Sequence, residues 1–111
     1  MDGRPLLVRI ARALTRAKLE AILIGNAAAA LQGAPVTTLD FDFMAHIAGV
    51  RSFESLRSRC VQVDLDGTPL LVADLKDIFK SKKAAGRPKD VAVLDILSKT
   101  IDEIEKAKPP R

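Results

Sequence analysis

Apolar positions along the chain change period several times, and each change marks an expected element. Leu7, Ile10, Ala11 and Leu14 recur at helical spacing, with Arg9, Arg12, Arg16 and Lys18 largely on the remaining faces. This predicts an amphipathic first helix whose basic face is either solvated or turned towards nucleic acid. Leu19 to Gly25 reads as a short strand, Ala21–Ile24, closed by Gly25, which permits a tight turn. Asn26 suits a helix N-cap, and the alanine-rich run to Gln32 favours a helix ending at Gly33. Ala34 to Thr38 returns the chain to an alternating run, Thr38 to Met44, where Leu39, Phe41 and Phe43 interleave with Asp40 and Asp42. A period of two predicts a half-buried strand.

His46–Val50 has no decisive period, and Ser52 is placed to cap a short helix through Phe53, Leu56 and Arg57. Cys60 to Asp66 alternates again, with Val61, Val63 and Leu65 on one face. Asp66-Gly67 favours a tight turn into Pro69–Val72, so a hairpin is expected. Asp74 then stands ready to cap a helix whose inward stripe is Leu75, Ile78, Phe79 and Lys82. Gly86 suits the end of that helix and Pro88 the first turn of the next. Leu94, Leu97, Ile101 and Ile104, opened by Val91, form the expected stripe of the last helix. The order is helix, strand, helix, strand, helix, hairpin, helix, helix, an α/β (α+β) arrangement with a small mixed sheet flanked by helices.

The 111 residues suffice for a single domain, 1–111, with 1–5 and 106–111 expected as flexible ends. A hydrophobic fraction of 48% argues against general disorder, and with four Phe and no Tyr or Trp the core must be mainly aliphatic. The formal charge of +4 fits attraction to phosphate-rich partners, but aromatic and basic residues do not interleave as base stacking requires. A lone cysteine, Cys60, excludes an intramolecular disulfide and a cysteine-based zinc cluster, and its apolar neighbours suit a packed thiol. No stretch approaches the length of a membrane span and no signal-peptide pattern is present, so the cytoplasm and no membrane partner are expected.

Chemistry concentrates in Asp40-Phe41-Asp42. On one strand both carboxylates leave the same face, roughly 7 Å apart. Two such carboxylates repel unless a cation or donor lies between them, so they are either a solvated acidic edge or a divalent-metal site. The Gly25-Asn26 turn is either an ordinary capped helix start or a place for phosphate. Lys82 either snorkels from the end of the core or aims its ammonium at a bound phosphate. His46 is either a structural or surface residue, or a metal ligand or base with no partner histidine at ligand spacing.

The words Leu23–Gly33 and Thr37–Asp42 resemble the opening of a minimal nucleotidyltransferase, in the branch related to abortive-infection and toxin–antitoxin transferases. A second word, Asp77–Asp90, is characteristic of the same branch, and together they cover most of residues 19–97. The resemblance implies a small mixed sheet with packed helices, as in the polymerase β superfamily. It also implies transfer of a nucleoside monophosphate from a nucleoside triphosphate (NTP) to a hydroxyl-bearing acceptor, with Mg2+ as cofactor. The acceptor would be RNA, protein or a small molecule; a homodimer or an antitoxin or toxin partner subunit would fit the branch. Carried over by position, Gly25 and Asn26 would cradle phosphate where relatives have Gly-Gly or Gly-Ser. Asp40 and Asp42 would hold metal, Lys82 would contact phosphate, and Arg87, Lys89 and Asp90 would close the site.

The chain departs from that family at one point. Relatives carry a third carboxylate on a later strand, and the segment leading to it is missing here. A deletion that fused the second and third carboxylate strands would leave Asp42 with one of two roles. Asp64 is the candidate replacement, provided the hairpin packs beside the Asp40 strand, since Asp66 belongs to the turn. The alternative expectations are a catalytically inactive remnant that binds nucleotide, nucleic acid or a partner, and a purely structural subunit in which Lys82 and Arg87 make salt bridges that fill the would-be pocket.

Overall fold

The computed structural model describes residues 4–36, 38, 40–45 and 51–108. In chain order the elements are α1 (Arg4–Arg16), β1 (Ala21–Ile24), α2 (Gly25–Leu31), β2 (Asp42–Ala45), α3 (Arg51–Arg59), β3 (Val61–Leu65), β4 (Thr68–Val72), α4 (Leu75–Ala85) and α5 (Pro88–Ala107). The expected succession of helices and strands is therefore present. The molecule is a small α/β domain with a mixed four-stranded sheet flanked by helices. Helical backbone reaches into both segments expected to be loose, starting at Arg4 and continuing to Ala107.

The sheet order is β2-β1-β4-β3. β1 runs antiparallel to β2 and parallel to β4, and β3 and β4 form the antiparallel hairpin. That hairpin turns at Asp66 (φ 50°) and Gly67 (φ 85°), a pair of left-handed residues of the kind that tight hairpins require. Cross-strand register puts Leu23, Leu65, Leu70 and Val72 on one face, and all four are buried. Gln62, Asp64 and Pro69 share the other face and are exposed. The core completes itself with Leu7, Val8 and Ala11 of α1, Ala27–Ala29 of α2, Phe53 of α3, and Leu75, Ile78 and Leu97 of the last two helices.

Four local expectations need correction. The strand does not begin at Thr38: β2 starts at Asp42, and Asp40 lies just ahead of it. β1 is only four residues long, so pairing stops at Ile24 opposite Asp42. The Thr38 hydroxyl instead accepts from the Asp40 amide at 3.1 Å, a local bond that competes with the ladder. Asn26 is not the N-cap; the cap is the extended Ile24, Gly25 at φ 74° absorbs the reversal, and α2 starts two residues earlier than expected, at Gly25. Ser52 likewise lies inside α3 rather than capping it. On α5, Val91 and Ile104 are exposed, and the inward stripe is Asp90, Val93, Leu94, Leu97 and Ile101. A carboxylate occupies the inward position one residue before the valine expected there, and the valine is turned out by 100° of helix.

Candidate functional site

The carboxyl ends of the parallel pair β1 and β4 open into a cleft of about 790 Å³. Gly25 and Asn26 lie on its floor, where β1 turns into α2, and Ala73 lies there where β4 ends. The floor is tied together by Gln32, whose Nε2 donates to Ala28 O at 3.0 Å and to Ala73 O at 2.6 Å. Asp40 and Asp42 line one wall. Asp42 reaches over the turn, its Oδ2 3.5 Å from where a Cβ on Gly25 would sit. Asn26 Oδ1 is buried beneath, with no hydrogen-bond donor among the described residues. An orphaned acceptor of this kind costs about 1–3 kcal/mol unless a ligand or water satisfies it.

The opposite wall comes from α4 and the start of α5. Asp74 caps α4 by accepting from Lys76 N at 3.1 Å, and the helix ends where Gly86 N donates to Lys82 O. Pro88 then starts α5 immediately, so the two helices meet at a sharp corner that brings Lys82 to Asp90. Asp90 is 1% exposed. It accepts from Arg87 Nε at 2.6 Å and stands 3.7 Å from Lys82 Nζ. The Arg87 hydrogen bond holds the Asp90 carboxyl below the ordinary carboxylate range; burial opposes this, and the charges of Arg87 and Lys82 add to it. The same bond raises Arg87. Lys89 lines the cleft and makes no ion pair among the described residues.

A further pair had no sequence signal. Arg59, in the last turn of α3, donates through Nε to both oxygens of Asp77 on α4, at 3.1 and 3.0 Å, and through Nη1 to Ser55 Oγ at 3.0 Å. This hydrogen bond to Asp77 raises Arg59. Arg59, Asp77, Ser52, Ser55 and Ser81 all line the cleft. The residues of the pair are 18 apart on helices separated by the hairpin, so no periodicity connects them. Only the fold makes them neighbours.

The structure thus gathers Gly25, Asn26, Asp40, Asp42, Lys82, Arg87, Lys89 and Asp90 around one cleft. Asp64 is the exception. The hairpin lies beside β1 through β4, so β3 is the far edge of the sheet from β2. Strand spacing puts Asp64 roughly 14 Å across the sheet from Asp42 and a further ~13 Å along it, beyond bridging a shared ion. Its Oδ2 accepts from Gly67 N at 3.3 Å, and it serves the turn. His46 lies outside the described residues, as do Thr37 and Leu39. Cys60 is half-buried against the core, with Sγ 3.1 Å from Arg57 O, as a packed thiol should be. Among the described residues no group of three or more His, Cys, Asp or Glu side chains could hold a metal ion. No described helix is long and apolar enough to cross a membrane.

No protein-family model, curated protein or solved structure matches this chain.

The site therefore stands on its own geometry. It offers unpaired carboxylates on one wall, a buried acceptor in the floor, and fixed cations on the other wall. Such a cleft can take a ligand that carries both negative charge and a counter-cation.

Proposed function

We propose that the cleft binds a nucleoside triphosphate with magnesium and moves the nucleoside monophosphate to a hydroxyl acceptor, in the manner of a minimal nucleotidyltransferase. What carries this reading is the meeting at one cleft of four separated stretches: Gly25-Asn26, Asp40 to Asp42, Lys82, and Arg87 to Asp90. Lys82 and Arg87 meet there as partners of Asp90, and Gly25-Asn26 and Asp40 to Asp42 reach the same cavity from the sheet.

The donor set suits magnesium. That ion is commonly held by one or two carboxylates, with phosphate oxygens and water completing its octahedron. Asp40 and Asp42 supply hard oxygens and make no ion pair among the described residues. Asp40 and Asp42 would hold the ion, which would supply neutralisation of phosphate charge. The chain's own residues do the rest. Lys82 and Arg87, both anchored by Asp90, face the cleft as positioned cations for the triphosphate, and Lys89 adds an unpaired one. Anchoring matters because a prepositioned cation needs no reorganisation as phosphate charge develops.

The position of Asp64 favours a second reading, a nucleotide-binding module without transferase activity. The attacking hydroxyl must lose its proton, and Asp64 at the far sheet edge cannot take it. Incubation with magnesium and each NTP, with RNA and protein acceptors, separates the two by release of pyrophosphate. Release that disappears in the Asp40→Asn, Asp42→Asn double variant and persists in Asp64→Ala supports transfer. Magnesium-dependent nucleotide binding without pyrophosphate release supports the module. Absence of binding by the folded protein overturns both.

A further inference from the structure

We infer that the arginine stripe of α1, which runs beside the β3–β4 turn with its exposed Asp64 and Asp66, is a second binding surface, for the sugar-phosphate backbone of nucleic acid. The chain carries 18 Lys and Arg against 14 Asp and Glu. Four of the 18, Arg4, Arg9, Arg12 and Arg16, lie on α1, which contains no acid. The remaining 14 basic residues balance the 14 acidic ones, so the entire formal excess of +4 equals the charge of this one helix.

Arg9, Arg12 and Arg16 stand at i, i+3 and i+7, within a stripe about 60° wide and roughly 10 Å long. The opposite face, Leu7, Val8 and Ala11, is buried in the core. These three arginines also differ from others in the chain. Arg57, Arg59 and Arg87 hold carboxylates at 2.5, 2.9 and 2.6 Å. Arg9, Arg12 and Arg16 hold none among the described residues. Arg12 and Arg16, with Thr15, also line a concavity of about 360 Å³ completed by Gly67, Thr68 and Pro69. Arg9, Arg12 and Arg16 thus form a row of exposed guanidiniums, unpaired among the described residues, the last two beside a shallow recess.

The occupant follows from that chemistry. Guanidinium groups bind phosphate through paired donors, and a row of them on one stripe suits a regular row of phosphates. An anionic membrane is disfavoured because α1 leaves one large apolar side chain, Leu6, half exposed, too little to insert, while Leu7, Val8 and Ala11 are buried. Stacking on aromatic rings plays no part at this surface, since neither α1 nor the β3–β4 turn carries an aromatic residue. Recognition is therefore of backbone, without sequence preference. The recess sits where β4 begins and the cleft where it ends, roughly 16 Å apart along the strand, so this surface is separate from the proposed nucleotide site.

The test is fluorescence anisotropy of a labelled oligouridylate between about 50 and 200 mM salt. Three phosphate contacts predict a slope of log K against log salt of about −2. Arg9→Gln, Arg12→Gln, Arg16→Gln together should weaken binding at least about tenfold at low salt and flatten the slope. Glutamine keeps the helix, because its propensity is close to that of arginine, and circular dichroism checks this. Lysine at the same three positions should restore most of the binding. Lys99→Gln, Lys106→Gln, Lys108→Gln removes equal charge from α5 and its C-cap and should leave binding unchanged. Three results would overturn the inference: no binding at low salt, equal binding by the triple glutamine variant, or equal loss in the α5 variant. Binding to anionic vesicles in place of the oligonucleotide would do the same.

Discussion

On the α4–α5 wall of the cleft each carboxylate holds a cation, Asp77 with Arg59 and Asp90 with Arg87 and Lys82, whereas Asp40 and Asp42 on the β2 wall hold none among the described residues. The first wall is also the more enclosed. Side-chain exposure is 2% at Asp90 and 14% at both Asp77 and Lys82. Asp40 and Asp42 are exposed. A buried charge has to be compensated within the fold, while an exposed one can wait for an external partner. The two walls therefore differ in kind: one is charge-compensated within the fold, and the other leaves its carboxylates exposed and unpaired among the described residues.

Removing Asp90 should break this contrast most severely. Asp90→Ala leaves Lys82 enclosed and uncompensated and frees Arg87, so the melting temperature should fall on the order of 10 °C. Thermal unfolding followed by circular dichroism measures it. Gly25→Ala should come next. A Cβ there meets Asp42 Oδ2 only at ordinary contact distance, so the cost arises from the left-handed backbone, about 1–2 kcal/mol by denaturant titration. The same variant disturbs the floor beneath Asp42 and should weaken nucleotide binding as well.

Acid sharpens the comparison from the paired side. Asp90 and Glu105 both have carboxyl pKa values below their ordinary 3.8 and 4.5, through hydrogen bonds to Arg87 and to Lys76 respectively. A depressed carboxylate adds stability that is complete above its unfolded value and lost as pH falls through its folded one. Stability should therefore decline as pH drops below about 4, and Asp90→Ala should show a shallower decline. The smallest effect belongs to the unpaired wall. Asp40→Asn with Asp42→Asn should change stability by no more than about 0.5 kcal/mol, since neither side chain is enclosed or paired.

Much of the fold was legible because its signals are local. The strand Ala21–Ile24, the Asp66-Gly67 turn, the Asp74 cap, and the Gly86 and Pro88 corner each depend on residues within a few positions. Registry was not legible. That β2 begins at Asp42 follows from the length of β1, a partner elsewhere in the chain. The inward position of Asp90 was hidden because apolar periodicity points to Val91, and a buried carboxylate declares itself only once its cations are in place. Asp64 was misplaced for the same reason: alternation gives its face, while sheet order decides its neighbours. The Arg59–Asp77 pair joins separate helices and leaves no trace in spacing.

The most direct test of the cleft's role is calorimetric titration of each ribonucleoside triphosphate into the protein, with and without magnesium, beside the Asp40→Asn, Asp42→Asn variant. Magnesium-dependent binding by the native chain, lost in the equally stable variant, is the predicted result. Absence of binding by the folded native chain, or equal binding by the variant, would contradict it.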